Sequence, residues 1–323
     1  MTHRIGIVGA GHWSKRLVKG IEDHPFEVSK TVDVLPYDKK QALLKAIGVQ
    51  RDRHYQIDPE DPLPDGFFED IDVVQVASPV EYHLSQTREA LDRGKFVVTE
   101  KSYAADRNEF EDALSTLEGR WDSSFLHLHY LNKIPTKVMP HVLERAVSQN
   151  GGVEHVEATF MEERSPEDAA RAWLFEPENG GVMLDWVHPV EVLGAACGAR
   201  LTLDDASAYL VAPDYTDCAT AARADFGVFG DLFADGATAT INVGKGFDET
   251  HKRMRFELDD DEYIDFVYAD SETEFETDYR GEWVWRREGR VVESGKPTGP
   301  IPYEILINEI EKALSGGGTW VNE

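Results

Sequence analysis

The stretch Arg4-Ile5-Gly6-Ile7-Val8-Gly9-Ala10-Gly11-His12-Trp13-Ser14-Lys15-Arg16-Leu17-Val18 decides how the chain begins to fold. Ile5 to Val8 is an apolar run of strand length, and a helical stretch follows the two glycines. Gly9 permits the tight turn where strand meets helix. Gly11 lets backbone approach a pyrophosphate seated on the helix N-terminus. The third position of this glycine fingerprint is held by Ser14, small enough for helix–strand packing. A second strand, Val28 to Val34, carries Asp33 near its end, where a carboxylate accepts both ribose hydroxyls and repels a 2′-phosphate. The reading is a dinucleotide-binding Rossmann domain with Gly9, Gly11, His12, Trp13 and Asp33 at the cofactor. NAD is favoured over NADP, with Lys39 and Lys40 near enough to offset the repulsion.

Outward from this loop, apolar strands alternate with helical stretches as far as about residue 100, the pattern of a doubly wound parallel sheet. Val73 to Ala77 and Phe96 to Val98 are near-continuously apolar, as strands buried on both faces require. Val80 to Arg93 carries Leu84, Thr87 and Leu91 at helical spacing and stops at Gly94. The proline-rich residues 58–66 form a surface loop. Asp106 to Leu117 and Pro135 to Ser148 read as helices flanking a strand at Phe125 to Leu128. Beyond residue 150 the texture changes. Val153 to Met161 reads as a strand and a helix begins near Gly180-Gly181. Then come Ala222 to Val228, Ala237 to Val243, Met254 to Leu258, Tyr263 to Tyr268 and Trp283 to Arg287. Strands in succession predict an α+β domain with a large, mostly antiparallel open sheet. Tyr303, Leu306, Ile310 and Leu314 stripe a closing helix that Gly316-Gly317-Gly318 ends. Two domains follow, a dinucleotide-binding domain over 1–122 and a substrate-binding and oligomerisation domain over 123–323.

The charge is lopsided, 61 acidic against 33 basic residues, formally −28. Such a field repels phosphate backbones and argues against nucleic-acid binding. The acids are dispersed rather than blocked into a tail, which reads as a salt-adapted surface. Asp259 to Glu262 lacks the glycine and the spacing of a calcium loop, and Cys197 and Cys218 offer neither metal spacing nor a disulfide framework. No apolar run is long enough to span a bilayer, and the N-terminus enters a strand without an apolar leader, so a cytoplasmic protein is expected.

A second block narrows the chemistry. Asp72-Val73-Val74-Gln75-Val76-Ala77-Ser78-Pro79-Val80-Glu81-Tyr82-His83 is followed by Ala90-Leu91-Asp92-Arg93-Gly94-Lys95-Phe96-Val97-Val98-Thr99-Glu100-Lys101. In order and spacing this resembles the glucose–fructose oxidoreductase / inositol dehydrogenase / rhizopine-catabolism (Gfo/Idh/MocA) family, as does the opening Gly-Ala-Gly-His-Trp. The resemblance implies that Ala77, Ser78, Pro79, His83, Glu100 and Lys101 also border the cofactor. Asn179-Gly180-Gly181-Val182-Met183-Leu184-Asp185-Trp186-Val187-His188 is similar to the family helix that supplies a catalytic carboxylate and imidazole. That assigns catalysis to Lys101, Asp185 and His188. The chemistry is sensible: alcohol oxidation needs a base for the hydroxyl proton, residues three apart share a helix face, and a cation at a strand's C-terminal end stabilises an alkoxide. This chain departs from the family twice, with Asp-x-x-His where Asp-x-x-x-His is usual and Ser102 where Glu-Lys-Pro has proline. His127-Leu128-His129-Tyr130-Leu131-Asn132-Lys133 is similar to the His-Tyr-Leu-Gly-Lys segment that holds sugar phosphate in glucose-6-phosphate dehydrogenases. It implies His129, Tyr130 and Lys133 on the substrate side, with Trp173 and Asn179 able to reach the same pocket.

The expected function is NAD(P)-dependent hydride transfer at a hydroxyl carbon of a sugar, polyol or sugar phosphate. A homo-oligomer, dimer or tetramer, is implied by the resemblance. A non-catalytic dinucleotide sensor is the alternative that the two departures favour. A metal-dependent hydrolase or lyase has weaker support, because no histidine cluster has ligand spacing. Lowering salt from molar to millimolar should lower the melting temperature, and an unchanged melt would remove the salt-adapted reading.

Overall fold

The computed structural model describes residues 2–104, 107–164, 185–211, 216, 219–259 and 261–315. It divides into two compact units, Met1–His127 with Tyr303–Glu323, and Leu128–Pro302. The sequence reading divided the chain at 122/123 and gave the closing helix to the second part. In the structure the strand Ser124–His127 and the helix from Tyr303 onward pack with the first unit.

The first unit is built on a six-stranded sheet of β1 (His3–Val8), β2 (Phe26–Asp33), β3 (His54–Gln56), β4 (Val73–Val76), β5 (Phe96–Glu100) and β6 (Ser124–His127). Its order is β3-β2-β1-β4-β5-β6 with every pairing parallel, the doubly wound arrangement. Val73 to Val76 are buried at every position, because helices cover both faces of the sheet. The helices are α1 (His12–Ile21), α2 (Tyr37–Ala46), α3 (Asp65–Phe68), α4 (His83–Asp92) and α5 (Arg107–Leu117). α3 closes the 58–66 loop and drives Phe67 and Phe68 into the core. The closing helix, Pro302–Leu314, follows its predicted stripe, with Tyr303, Leu306, Ile307 and Ile310 buried. Gly20 on α1 admits it: a Cβ there would lie 2.7 Å from Tyr303 Cβ.

The second unit carries an eight-stranded sheet of β7 (Val153–Glu163), β8 (Arg200–Tyr209), β9 (Ala221–Phe229), β10 (Phe233–Phe247), β11 (His251–Asp259), β12 (Glu262–Tyr268), β13 (Gly281–Arg287) and β14 (Arg290–Gly295). The order is β14-β13-β12-β11-β7-β10-β9-β8, antiparallel except where β7 meets β10. Its helices are α6 (Ile134–Asn150), α7 (Val187–Glu191) and α8 (Ser271–Glu276). One face of the sheet alternates into the core through Val156, Ala158 and Phe160 of β7, Met254 and Phe256 of β11, and Ile264 and Phe266 of β12. Val142, Leu143 and Ala146 of α6 belong to the same core. Glu262, from the acidic run at 259–262, is 5% exposed and accepts bonds from Trp285 Nε1 at 2.7 Å and Arg287 Nε at 2.6 Å, a structural use of that carboxylate. Cys197 is buried 3.6 Å from Met139 Sδ, and burial pushes its thiol up to about 12; Cys218 lies outside the described residues. The helix expected near Gly180-Gly181 also lies outside them up to residue 184. Among the described residues no helix is long and apolar enough to cross a membrane.

A buried ion pair joins distant parts of this unit. Lys133 Nζ donates to Glu274 Oε2 at 2.7 Å and to the Ala269 carbonyl at 2.9 Å, and both side chains are fully buried. Arg280 ties the same region together through the carbonyls of Glu274, Thr277 and Gly299. Removing one member of a buried pair leaves the other charge uncompensated. Glu274→Ala should therefore cost roughly 3–5 kcal/mol in a denaturant titration, and Glu274→Gln with Lys133→Met should recover much of the loss.

Candidate active site

At the carboxyl end of the first unit's sheet, strand order reverses between β1 and β4, and in open α/β sheets ligands bind at such a point. Gly9 sits there with φ +81, its N–H bonded to Val32 O at 2.9 Å. A Cβ on Gly9 would lie 2.5 Å from Ser78 N and 2.6 Å from Ala77 O, so both conformation and space demand glycine. Gly11 is different. Among the described residues a Cβ there would meet nothing closer than Gly9 O at 3.9 Å, so these residues leave open space over the start of α1. That helix has no side-chain cap and no acid in its first turn, which leaves its leading N–H groups suited to an anion. Ser14 is 1% exposed with its Oγ unpartnered, packed as the third fingerprint position requires. Trp13 lies under the Arg16 guanidinium, 4.2 Å from its ring centroid, and the side chain of His12 is outside what the structure describes.

Asp33 ends β2 with both oxygens engaged. Oδ1 accepts from Leu35 N at 2.9 Å, and Oδ2 pairs with Lys40, which also donates to Ala10 O at 2.6 Å. Ala77, Ser78 and Pro79 follow β4, half-buried against the glycine loop. His83 was expected at the cofactor, but its ring is turned inward. It is 2% exposed, with Nε2 2.6 Å from Ser78 O and Nδ1 2.6 Å from Ser102 O. It braces the segments after β4 and β5, and burial holds its pKa below the usual histidine value against the pull of the two carbonyls.

Glu100 ends β5 as a hub. Its Oε1 accepts from Gln75 Nε2 at 3.2 Å and Tyr303 Oη at 2.8 Å and lies 3.0 Å from His127 Nδ1. Burial pushes this carboxyl up, but the His127 charge and the hydrogen bonds from His127 and Tyr303 prevail, and its pKa falls below the ordinary 4.5. Burial and the Glu100 charge raise Tyr303 well above a usual phenol. Glu100 thus organises the strand end rather than offering a free carboxylate, and Lys101 follows it, half-buried and joined to Ser102 by a cis peptide.

In the second unit, Tyr130 gathers several of the expected residues. Its ring centroid is 4.4 Å from His188, 5.7 Å from His129, 4.9 Å from Phe160 and 5.3 Å from Tyr268. Burial raises its phenol, the Lys252 ammonium opposes that by charge and hydrogen bond, and the Asp185 and Glu274 carboxylates add to the rise. Tyr130, His188, Asp185 and Lys252 therefore share one neighbourhood. Lys133 does not present its charge to a substrate, since its ammonium is enclosed by Glu274 and Ala269 O. Trp173 and Asn179 lie outside the described residues. Lys252 and Glu162, bonded at 2.6 Å, were not anticipated. The signal existed: Lys252 precedes Met254 and Phe256, and Glu162 follows Ala158 and Phe160, at the period-two spacing of the buried face. Lys252 also lines a cavity of about 480 Å³ with Thr159, Thr250, Arg253 and Tyr268. Among the described residues no group of three or more His, Cys, Asp or Glu side chains is arranged to hold a metal ion.

Residues 3–121 match the model of an oxidoreductase family with an NAD-binding Rossmann fold (GFO_IDH_MocA), so this segment carries an NAD-binding Rossmann domain. A search of curated proteins gave no match. Among solved structures, the chain is similar to KijD10, a 3-ketoreductase from Actinomadura kijaniata in complex with NADP and TDP-benzene. The TM-score is 0.77 at 19% identity, covering 99% of this chain and 92% of that one. It is also similar to a putative NADPH-dependent oxidoreductase from Desulfitobacterium hafniense, with TM-score 0.77, 14% identity, and 99% and 90% covered. UDP-N-acetylglucosamine 3-dehydrogenase GnnA from Acidithiobacillus ferrooxidans gives TM-score 0.68 at 17% identity, with 99% and 91% covered. At these identities the likeness establishes a shared two-domain fold.

The Glu100 hub sets a pH dependence. Because its folded pKa is depressed, its stabilisation is complete above the ordinary value of 4.5 and is lost as pH falls through the lower folded value. Glu100→Gln should lower the melting temperature at neutral pH and flatten the acid limb of the stability profile. A variant whose acid limb keeps the parent's slope would contradict this.

Proposed function

We propose that the whole chain is a Gfo/Idh/MocA-type oxidoreductase that transfers hydride between NAD(P) and a hydroxyl-bearing carbon of a sugar, polyol or sugar phosphate. The observation that carries this reading is the open space that the described residues leave over the start of α1 at Gly11, at the same carboxyl end of the sheet as the Glu100-Lys101 strand end. Gly9, Gly11, Trp13, Asp33 and the Ala77-Ser78-Pro79 segment would hold the dinucleotide, with the pyrophosphate on the helix N-terminus. When bound, the nicotinamide supplies a hydride acceptor or donor. The residues of the chain handle the proton and the charge. The His188 imidazole takes the hydroxyl proton, the Asp185 carboxylate orients it, and the Lys101 ammonium stabilises the developing alkoxide. Tyr130 packs on the His188 ring and fixes its plane. The substrate class is supported by the names of KijD10 and GnnA, a 3-ketoreductase and a dehydrogenase of a nucleotide sugar. A cytoplasmic homo-oligomer with a salt-adapted acidic surface completes the proposal.

A second reading, a dinucleotide sensor without turnover, is favoured by one observation: Asp185 stands three residues before His188 rather than four. Purified protein supplied with NAD or NADP and a panel of sugars and sugar phosphates separates the two. Lys101→Ala and His188→Ala should each lower kcat by about a hundredfold or more, the usual share of general acid–base catalysis. Turnover within about threefold of the parent in both variants would remove these assignments, and cofactor binding without hydride exchange would establish the sensor.

A further inference from the structure

We infer that Lys40 sets the cofactor choice of this protein: by neutralising Asp33 and standing over the glycine loop, it admits the 2′-phosphate of NADP alongside NAD. The inference rests on the dinucleotide reading of the first unit. Asp33 alone would repel a 2′-phosphate and select NAD. In this structure, however, its side chain is only 4% exposed, while that of its partner Lys40 is 18% exposed. Oδ1 is occupied by the Leu35 N–H and Oδ2 by the Lys40 ammonium. What this end of β2 presents outward is therefore the cation of a neutralised pair rather than a bare carboxylate.

An ordinary helix-surface ion pair would be the plainer account of Lys40. Two observations go beyond it. The ammonium is anchored a second time, to Ala10 O at 2.6 Å, inside the glycine loop itself. It thereby bridges the pyrophosphate turn and the ribose-reading carboxylate. An ammonium has three donors, so with two committed a third remains for a phosphate oxygen. The flank is also suited to an adenosine: Val34 and Leu35 follow Asp33 at 48% and 45% exposure, an apolar surface held from beneath by His54 Nε2 on Leu35 O at 2.9 Å and Gln56 Nε2 on Val34 O at 3.3 Å. The nearby charges do not compete for Lys40, because Asp38 is taken by Arg51, and Lys39 adds a second exposed cation beside it.

The test measures binding, so it does not depend on finding the substrate. NADH and NADPH are titrated by fluorescence against the parent, Lys40→Gln, Lys40→Arg and Asp33→Asn, with circular dichroism melts as the control for folding. The parent is expected to bind both reduced cofactors within about tenfold of each other, and Lys40→Gln to weaken NADPH by about thirtyfold or more while NADH moves less than about threefold, as loss of one charge-assisted contact requires. Lys40→Arg, which keeps the cation, should preserve the ratio, and Asp33→Asn should shift it toward NADPH. If both cofactors bind and Lys40→Gln leaves their ratio within about threefold of the parent, the role of Lys40 is overturned while the dinucleotide reading stands. If neither cofactor binds the parent, that reading falls and the inference with it.

Discussion

The missing side chain at Gly9 is the constraint on which the carboxyl end of the first unit's sheet depends. The backbone of β1 must pass within van der Waals range of the Ala77–Ser78 peptide for β1 and β4 to pair in parallel and then diverge to their separate helices. Any Cβ would collide with main-chain atoms that no rotamer change can move, and the φ of +81 adds a conformational penalty for every other residue. Gly11 is different, since among the described residues a Cβ there would meet only Gly9 O, at 3.9 Å. One glycine is required by the fold, while at the other the described residues leave open space over the helix start.

The Glu100 hub extends the same logic one strand further. A carboxylate this buried is tolerable only because Gln75, His127 and Tyr303 converge on one oxygen. Those partners come from β4, β6 and the closing helix, so a single charge registers three neighbouring elements at the carboxyl end of the sheet, where Lys101 emerges. His83 does comparable work for the segments after β4 and β5 with two backbone carbonyls in place of a charge.

The fold was legible where burial is two-sided. Val73 to Val76 and Ile5 to Val8 are apolar runs because helices cover both faces, and they appear as such in the sequence. The strands that escaped reading, β3, β8 and β14, all lie at sheet edges, where one flank has no partner among the described residues and apolar pattern fades. β8 is exposed along nearly its whole length. The demand for glycine at position 9 was legible because the local backbone conformation where strand meets helix dictates it. Lys133 misled, since its partner Glu274 is distant in sequence and only the folded unit shows the ammonium enclosed. Lys252 and Glu162 could be placed on the buried face by alternation, but their meeting depends on the register between β7 and β11, which no local pattern encodes.

The hydrogen bond from Tyr303 to Glu100 closes a loop of some two hundred residues, with the second unit contained inside it. The first unit is therefore discontinuous in the chain. During synthesis, its sheet emerges long before the helix that supplies one of Glu100's donors and fills the groove at Gly20. The inserted unit can complete its own core in the interval, and its folding brings the two ends of the first unit's chain toward each other. The topology thus makes completion of the first unit wait on chain that follows the second.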